Sequence, residues 1–350
     1  KIMQGKCGLF FTSYPLEDQL FPSRFQKICL ALLLVLLAFL PNLIDTYLIS
    51  VCNLILIAVI GAVALNLLTG FCGQISLGHG AFIGVGAYAT AYAGMHGVPF
   101  LLALLFGGAA AAGAGLIFGI PSLRLKGIYL AIATLAAQLI LEYVFLHWKG
   151  LTGGSSGLML DSPEILGFSF DNDQRMYYLI LVVSVVVVLA ASNIVRTKPG
   201  RAFMAVRDFY LSAEITGINL FATKLKAFAL SSFLAGVSGG LWAYYTMYIA
   251  PEQFNIGLSI SYLAMIIIGG LGSILGSIMG AIFITLLPEV LNFIADIAGN
   301  FFPGISTHIL AMREGTFGLI LILFLIFEPE GIVRRWRLLK AYWKLYPFAY

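Results

Sequence analysis

Residues 51–100 read VCNLILIAVI GAVALNLLTG FCGQISLGHG AFIGVGAYAT AYAGMHGVPF, and none of them is Asp, Glu, Lys or Arg. The charge-free run is longer still, from Thr46 to Leu123, and a second extends from Gln253 to Pro288. A bilayer core takes about 20 apolar residues per helix, so the first run has room for roughly three crossings. No water-soluble core would explain a gap of that length. Over all 350 residues, hydrophobic side chains make up 60% and charged ones 10%, the reverse of what keeps a soluble domain in solution. Lipid is the solvent that fits.

Apolar runs bounded by charges or turn residues predict helices near residues 28–44, 47–69, 78–95, 98–119, 127–147, 177–195, 225–249, 257–271, 274–295 and 306–328. The expected architecture is an all-α integral membrane protein with about ten transmembrane helices. A membrane domain, 28–328, lies between an N-terminal segment, 1–27, and a basic tail, 329–350. With the N-terminus cytoplasmic, the charged inner segments are 1–27, 120–126, 196–226 and 328–350. Of the 20 Lys and Arg residues, only Lys149, Arg175 and Arg313 then fall outside them. This is the positive-inside asymmetry, and one helix more or fewer upstream would reverse it for every later loop, so count and orientation support each other. Both termini are expected inside. About 27 mixed polar residues precede the first long apolar run, so that run reads as a retained anchor rather than a signal peptide. The tail residues Arg334, Arg335, Trp336, Arg337, Lys340 and Lys344 read as a basic, aromatic segment on the inner leaflet, with nucleic-acid binding the weaker reading. Cys7, Cys29, Cys52 and Cys72 lack Cys-x-x-Cys spacing, and no metal site or disulfide is expected of them.

Small-residue spacings recur at Gly80/Gly84, Gly115/Gly119, Gly236/Gly240 and Gly276/Gly280. They let helix backbones approach closely where lipid supplies no drive to associate, and they say nothing about substrate.

Two breaks interrupt the charge-free runs. The first, Gly70-Phe71-Cys72-Gly73-Gln74-Ile75-Ser76-Leu77-Gly78-His79-Gly80, is too rich in glycine and polar side chains for a lipid-facing helix. Irregular backbone inside a membrane must be buried in protein or face a wet cavity. The segment is either a broken, re-entrant element lining a pathway or a cytoplasmic turn whose polar residues cap helices. Under the first reading Asn66, Gln74, Ser76 and His79 line the pathway, with His79 a packed, hydrogen-bonded imidazole rather than a proton carrier. The second break, Gly269-Gly270-Leu271-Gly272-Ser273-Ile274-Leu275-Gly276, divides the other run similarly, and paired interruptions often bracket a translocation site. Gly269, Gly270 and Ser273 join the pathway candidates. The outer loop, 148–176, opens with Thr152, Gly153, Gly154 and Ser155, which either cover an outer mouth or contact a partner, or belong to a solvated connector.

Mid-membrane carboxylates are missing from the sequence. Glu142 and Glu289 sit toward outer helix ends, whereas an ion-coupled carrier needs ionisable groups within the bilayer despite their cost. The driving energy is expected from elsewhere. In the inner loop, 196–226, Asp208 can cap a short helix stopped by Gly217, with Leu211 and Ile215 sharing one face at i, i+4. Such a helix either docks on a partner or lies on headgroups through Phe203, Phe209 and Tyr210.

The sequence resembles the branched-chain amino-acid ABC importer permeases of the LivM type. The matching stretches are Leu65-Asn66-Leu67-Leu68-Thr69-Gly70 with Gly73–His79, Leu123-Arg124-Leu125-Lys126-Gly127-Ile128-Tyr129, Leu151-Thr152-Gly153-Gly154, Gly200-Arg201-Ala202-Phe203 through Gly217-Ile218-Asn219, Gly269–Ser273, and Glu328-Pro329-Glu330-Gly331-Ile332, in family order. The resemblance implies that the 208–218 helix is a coupling helix docking into a cytoplasmic ATPase. The coupling candidates are Arg201, Arg207, Asp208, Glu214 and Gly217. It further implies two ABC ATPase subunits, a sister permease, a periplasmic solute-binding protein, and a multi-pass location in a bacterial inner membrane.

No Gly-x-x-x-x-Gly-Lys-Ser/Thr loop is present, so ATP and Mg are expected on the partner ATPases, with no cofactor here and no enzyme activity of the chain's own. Leucine, isoleucine and valine are the expected solutes, with urea or short amides as the alternative. An ion-coupled secondary carrier is a further reading. An intramembrane enzyme would need a nucleophile and base, for which Ser76 and His79 are the nearest pair and read better as structural.

Overall fold

The computed structural model describes residues 24–122, 127–165, 167–301 and 331–345, together with 315, 318–319, 322–324 and 326–328. Helices occur at nine of the ten expected places: α1 (Arg24–Phe39), α2 (Thr46–Asn66), α3 (His79–Met95), α4 (Phe100–Ser122), α5 (Ile128–His147), α7 (Asp173–Arg196), α10 (Leu220–Thr246), α11 (Ile256–Gly269) and α12 (Ile274–Phe301). Between them lie the short helices α6 (Lys149–Thr152), α8 (Lys198–Asp208) and α9 (Tyr210–Ile215), and α13 (Ile332–Leu345) follows in the tail. Most of the tenth expected helix, 306–328, falls outside the described residues, as do 1–23 and the inner segment with Arg124 and Lys126. The chain is thus a mainly helical, multi-pass membrane protein. Among the described residues, six helices are long and apolar enough to cross a bilayer: α2 with its extension to Phe71, α4, α5, α7, α10 and α12. Helices α1 and α11 are apolar but shorter. Three helices, α2, α3 and α4, do fill the first charge-free run.

α10 runs through the middle of the molecule and packs along α4, α3 and α2. Glycine sets these spacings. A methyl group on Gly86 of α3 would lie 2.1 Å from the Gly236 Cα of α10, and one on Gly239 would lie 1.9 Å from Ile83 O, so any side chain at either position forces the helices apart. The expected small-residue pairs all sit at contacts between elements, Gly236/Gly240 against α4 and α3, and Gly276/Gly280 against α11. Largely apolar side chains fill the remainder, including Phe82, Phe228, Tyr88 and Ile60, all nearly fully buried.

Two expectations need correction in the inner loop. Residues 198–208 are themselves helical, because Pro199 takes a first-turn position where its missing N–H is no loss. Asp208 therefore ends α8 instead of capping the next helix. Its carboxylate accepts from Arg207 Nε at 2.8 Å, and Phe209 takes the N-cap position of α9. The helix expected over 208–218 is the shorter α9. The outer loop is not wholly irregular either: β1 (Leu158–Met159) pairs antiparallel with β4 (Tyr248–Ile249), and β2 (Glu164–Ile165) pairs with β3 (Phe168–Ser169).

Candidate functional site

The first break begins as a π turn, Leu67–Phe71, at the end of α2. From Cys72 to Gly78 the chain is not helical, yet Cys72, Gln74, Ser76 and Gly78 are buried while Gly73 and Ile75 alternate with them as exposed or half-exposed positions. It turns at Gly73, whose φ of 71° favours glycine, and runs back alongside α2. By His79 it has reached the level of Gly61, whose carbonyl lies 2.9 Å from His79 Nε2. That is ten residues back from Phe71, where the extension of α2 ends, a depth of roughly 15 Å at 1.5 Å per residue. His79 packs edge-on against Tyr262 of α11, so it is the hydrogen-bonded core imidazole the sequence suggested.

Helix α3 therefore starts inside the molecule, and its first N–H groups need partners there. Gly80 N donates to Ser259 Oγ at 2.7 Å and Ala81 N to Gln138 Oε1 at 2.7 Å, while Leu77 N donates to Thr134 Oγ1 at 2.9 Å. Gln138 stands at the middle of α5 and also donates from Nε2 to Phe254 O at 2.6 Å; Ser259 Oγ donates to its Oε1 at 3.1 Å. Phe254 directly precedes Asn255, the N-cap of α11. Two helices of partial length thus begin beside one another, α3 running one way and α11 the other, with one glutamine satisfying both. Sequence reading missed Gln138, Ser259, Thr134 and Tyr262. The available signal was a lone polar side chain in the middle of an apolar helix.

Asn66 bridges the two breaks. Its Nδ2 donates to Ser273 O at 2.9 Å and Ser277 Oγ at 2.7 Å, and its Oδ1 accepts from Gly272 N at 2.9 Å. Gly269 lies against Gly276 O and Gly280, closing the turn between α11 and α12. Gly270 is touched from the far end of the chain by Gly331, which opens the tail helix. Arg207, at the end of α8, donates from Nη1 to Gly70 O at 2.8 Å and sits over Gly73 and Gly272. The structure thereby brings pathway candidates Asn66, Gly269, Gly270 and Ser273 together with the coupling candidate Arg207. Among the described groups here, every member but Arg207 and Asp208 is neutral.

The other candidates are placed differently. Gln74 is buried with its Oε1 unpartnered, and its Nε2 donates weakly to Cys72 Sγ at 3.4 Å. Ser76 Oγ accepts from Gly78 N at 3.4 Å, a local turn contact. Thr152 Oγ1 shares its hydrogen between Phe145 O at 2.7 Å and Trp148 O at 2.8 Å, closing the end of α5, and accepts from Gly154 N. Gly153 and Gly154 take left-handed backbone there, and Ser155 is exposed. Arg201 Nη1 donates to Arg196 O, which fastens α8 to the end of α7. Glu214 and Gly217 lie on and just after α9; Gly217, with φ of 84°, stops that helix, and Leu211 and Ile215 are 55% and 86% exposed. In the outer loop, hydrogen bonds from Ser162 and Ser169 hold the Asp171 carboxyl below its ordinary range.

The family model described as "Branched-chain amino acid transport system / permease component" matches residues 47–325. The high-affinity branched-chain amino acid transport system permease protein LivM of Escherichia coli K12 is 29% identical over 333 residues, covering 88% of this chain and 75% of that protein. A probable branched-chain amino acid transport permease protein LivM of Methanocaldococcus jannaschii is 24% identical over 223 residues, 63% of this chain and 64% of that one. An autoinducer 2 import system permease protein, LsrC of an Enterobacter strain, is 30% identical over 230 residues, 62% of this chain and 64% of that one. No solved structure matches.

Proposed function

The chain belongs to the branched-chain amino acid transport permease family, and from that premise we propose that it is the pore-forming subunit of an ATP-driven importer for branched-chain amino acids in a bacterial inner membrane. It crosses that membrane ten times with both ends cytoplasmic, an arrangement that rests on the charge-free lengths and on the placement of Lys and Arg. Two ABC ATPases bind below, a sister permease completes the pore, and a periplasmic binding protein delivers the solute. ATP and Mg act on the ATPases, and this chain carries no cofactor. Alternating access follows as nucleotide binding and hydrolysis bias two pore conformations.

The observation that carries this reading is the connection through Arg207 between the inner loop and both breaks. A surface helix, α9, that exposes Leu211 and Ile215 suits a groove on an ATPase, and only Asp208 and Phe209 separate it from the arginine that touches the breaks. Glu214 and Gly217 belong to that docking segment, and Arg201 and Asp208 support it. The solute passes beside Asn66, Gln74, Ser76, His79, Gly269, Gly270 and Ser273, a neutral, hydrogen-bonding lining in keeping with a zwitterion and with the lack of buried carboxylates among the described residues. Thr152, Gly153, Gly154 and Ser155 shape the outer mouth where the binding protein docks.

The test is co-purification with the ATPases and uptake by reconstituted vesicles: ATP-dependent uptake of leucine, abolished by Glu214→Arg with the membrane fold intact, is expected. Uptake that follows an ion gradient without ATPase subunits would overturn the reading. A urea or short-amide cargo is the second reading, favoured only by the breadth of the family, which includes a relative named for autoinducer 2 import. A ligand screen on the partner binding protein separates the two.

A further inference from the structure

Arg207 has contacts that a docking residue does not need. Its guanidinium reaches away from α9, into the first break, where Nη1 donates to Gly70 O at 2.8 Å. A methyl group on Gly272 would lie 2.7 Å from the same Nη1, and one on Gly73 would lie 2.9 Å from Arg207 Cγ. Both breaks are therefore bare of side chains where the arginine lies on them. On its other edge Nε donates to Asp208 Oδ1 at 2.8 Å, which fixes the plane of the fork. Between Asp208 and α9 there is a single residue, Phe209, with extended backbone (φ −154°, ψ 91°). A displacement of α9 thus reaches Arg207 through one joint.

We propose that Arg207 is the latch of the inner gate. In the arrangement described here it holds the first break against the second across the path a solute would take between them. Movement of α9 by the ATPase draws the guanidinium off Gly70 and Gly272 and frees the breaks to part. Arg207 is a positioning residue in this scheme; it acts through the breaks and not on the solute. The proposal rests on the importer reading above.

The experiment uses the complete importer reconstituted in vesicles. Cys7, Cys29 and Cys52 are replaced by serine so that Cys72, 2% exposed beside the latch, becomes the reporter. In Arg207→Ala, the ATP hydrolysed per leucine carried should rise about tenfold or more, and a membrane-impermeant maleimide added on the cytoplasmic side should label Cys72 at least about tenfold faster, in line with losing a charge-assisted hydrogen bond. Arg207→Lys keeps one donor without the fork and should fall between Arg207→Ala and the parent on both readouts. Gly272→Ala, which displaces the guanidinium from the opposite side, should reproduce the alanine phenotype. A purely structural arginine predicts otherwise: uptake and hydrolysis decline together at constant ratio, with Cys72 equally protected in the folded protein, and that result overturns the latch. If the parent complex shows no ATP-driven uptake at all, the importer reading fails instead.

Discussion

The two glycine-rich breaks look alike in sequence but are held by different physics. The first leaves residues 72–78 outside any helix and depends on partners from α2, α5 and α11: Gly61, Thr134, Gln138 and Ser259. The second is a tight turn in which α11 and α12 touch backbone to backbone, with Gly269 on Gly276 and Gly280 on Met265. One is specified chiefly by directional polar contacts, with close approaches at Gly70 and Gly78 besides. The other is specified chiefly by the close approach of two helix backbones, with Asn66 adding directional contacts. Glycine content alone does not say which kind a break is; the contacts do.

The largest effect should come from bulk in the second break. A methyl group on Gly280 would lie 1.8 Å from Met265 O, so Gly280→Leu should leave little folded monomer on gel filtration in detergent. A variant with parent-like yield would mean that α11 and α12 separate without cost. Next is Asn66→Ala, which removes the bridge and strands Gly272 N, Ser273 O and Ser277 Oγ; a loss of about 2–4 kcal/mol against denaturant titration is expected from three broken hydrogen bonds that are buried or partly buried. Gln138→Leu should lose about 1–3 kcal/mol by leaving buried donors of α3 unpaired, while Gln138→Glu, protonated or charged, separates the loss of a donor from the loss of shape. If Gln138→Leu is neutral, the first break is held by packing and the contrast between the breaks collapses.

Smallest of all, and outside both breaks, is the titration of Asp171. Its folded carboxyl is held below the ordinary value of about 4, so the contribution is present above that range and disappears as pH falls through the lowered value. Amide exchange in 162–171 should quicken there, with the breaks unaffected. Parent-like exchange at low pH would remove the Ser162 and Ser169 hydrogen bonds from the account.

The helices were legible because each is a long apolar length bounded by charges or turn residues, and membrane burial imposes that pattern residue by residue. The breaks were legible too, since glycine and polar residues cannot sit in a lipid-facing helix. The partners of the breaks were not. Gln138 meets Ala81 across 57 residues and Phe254 across 116, and nothing local to Gln138 announces either contact. The inner loop was half legible. Gly217 ended α9 as read, but Asp208, read as the cap of that helix, closes α8 instead, and Lys198-Pro199-Gly200 is the first turn of α8, with Gly200 pressed against Val195 O. That short packing contact decides the geometry, and it does not show in the order of the residues.

The contact of Arg207 with Gly70, Gly73 and Gly272 also constrains descent. A side chain at either Gly73 or Gly272 collides with the arginine, and both glycines also take left-handed backbone, with φ of 71° at each, so they are held to glycine by more than the arginine. Among divergent copies of this chain, arginine at 207 should persist only where 73 and 272 stay glycine, so the history of substitution records whether three distant segments have been inherited as one part.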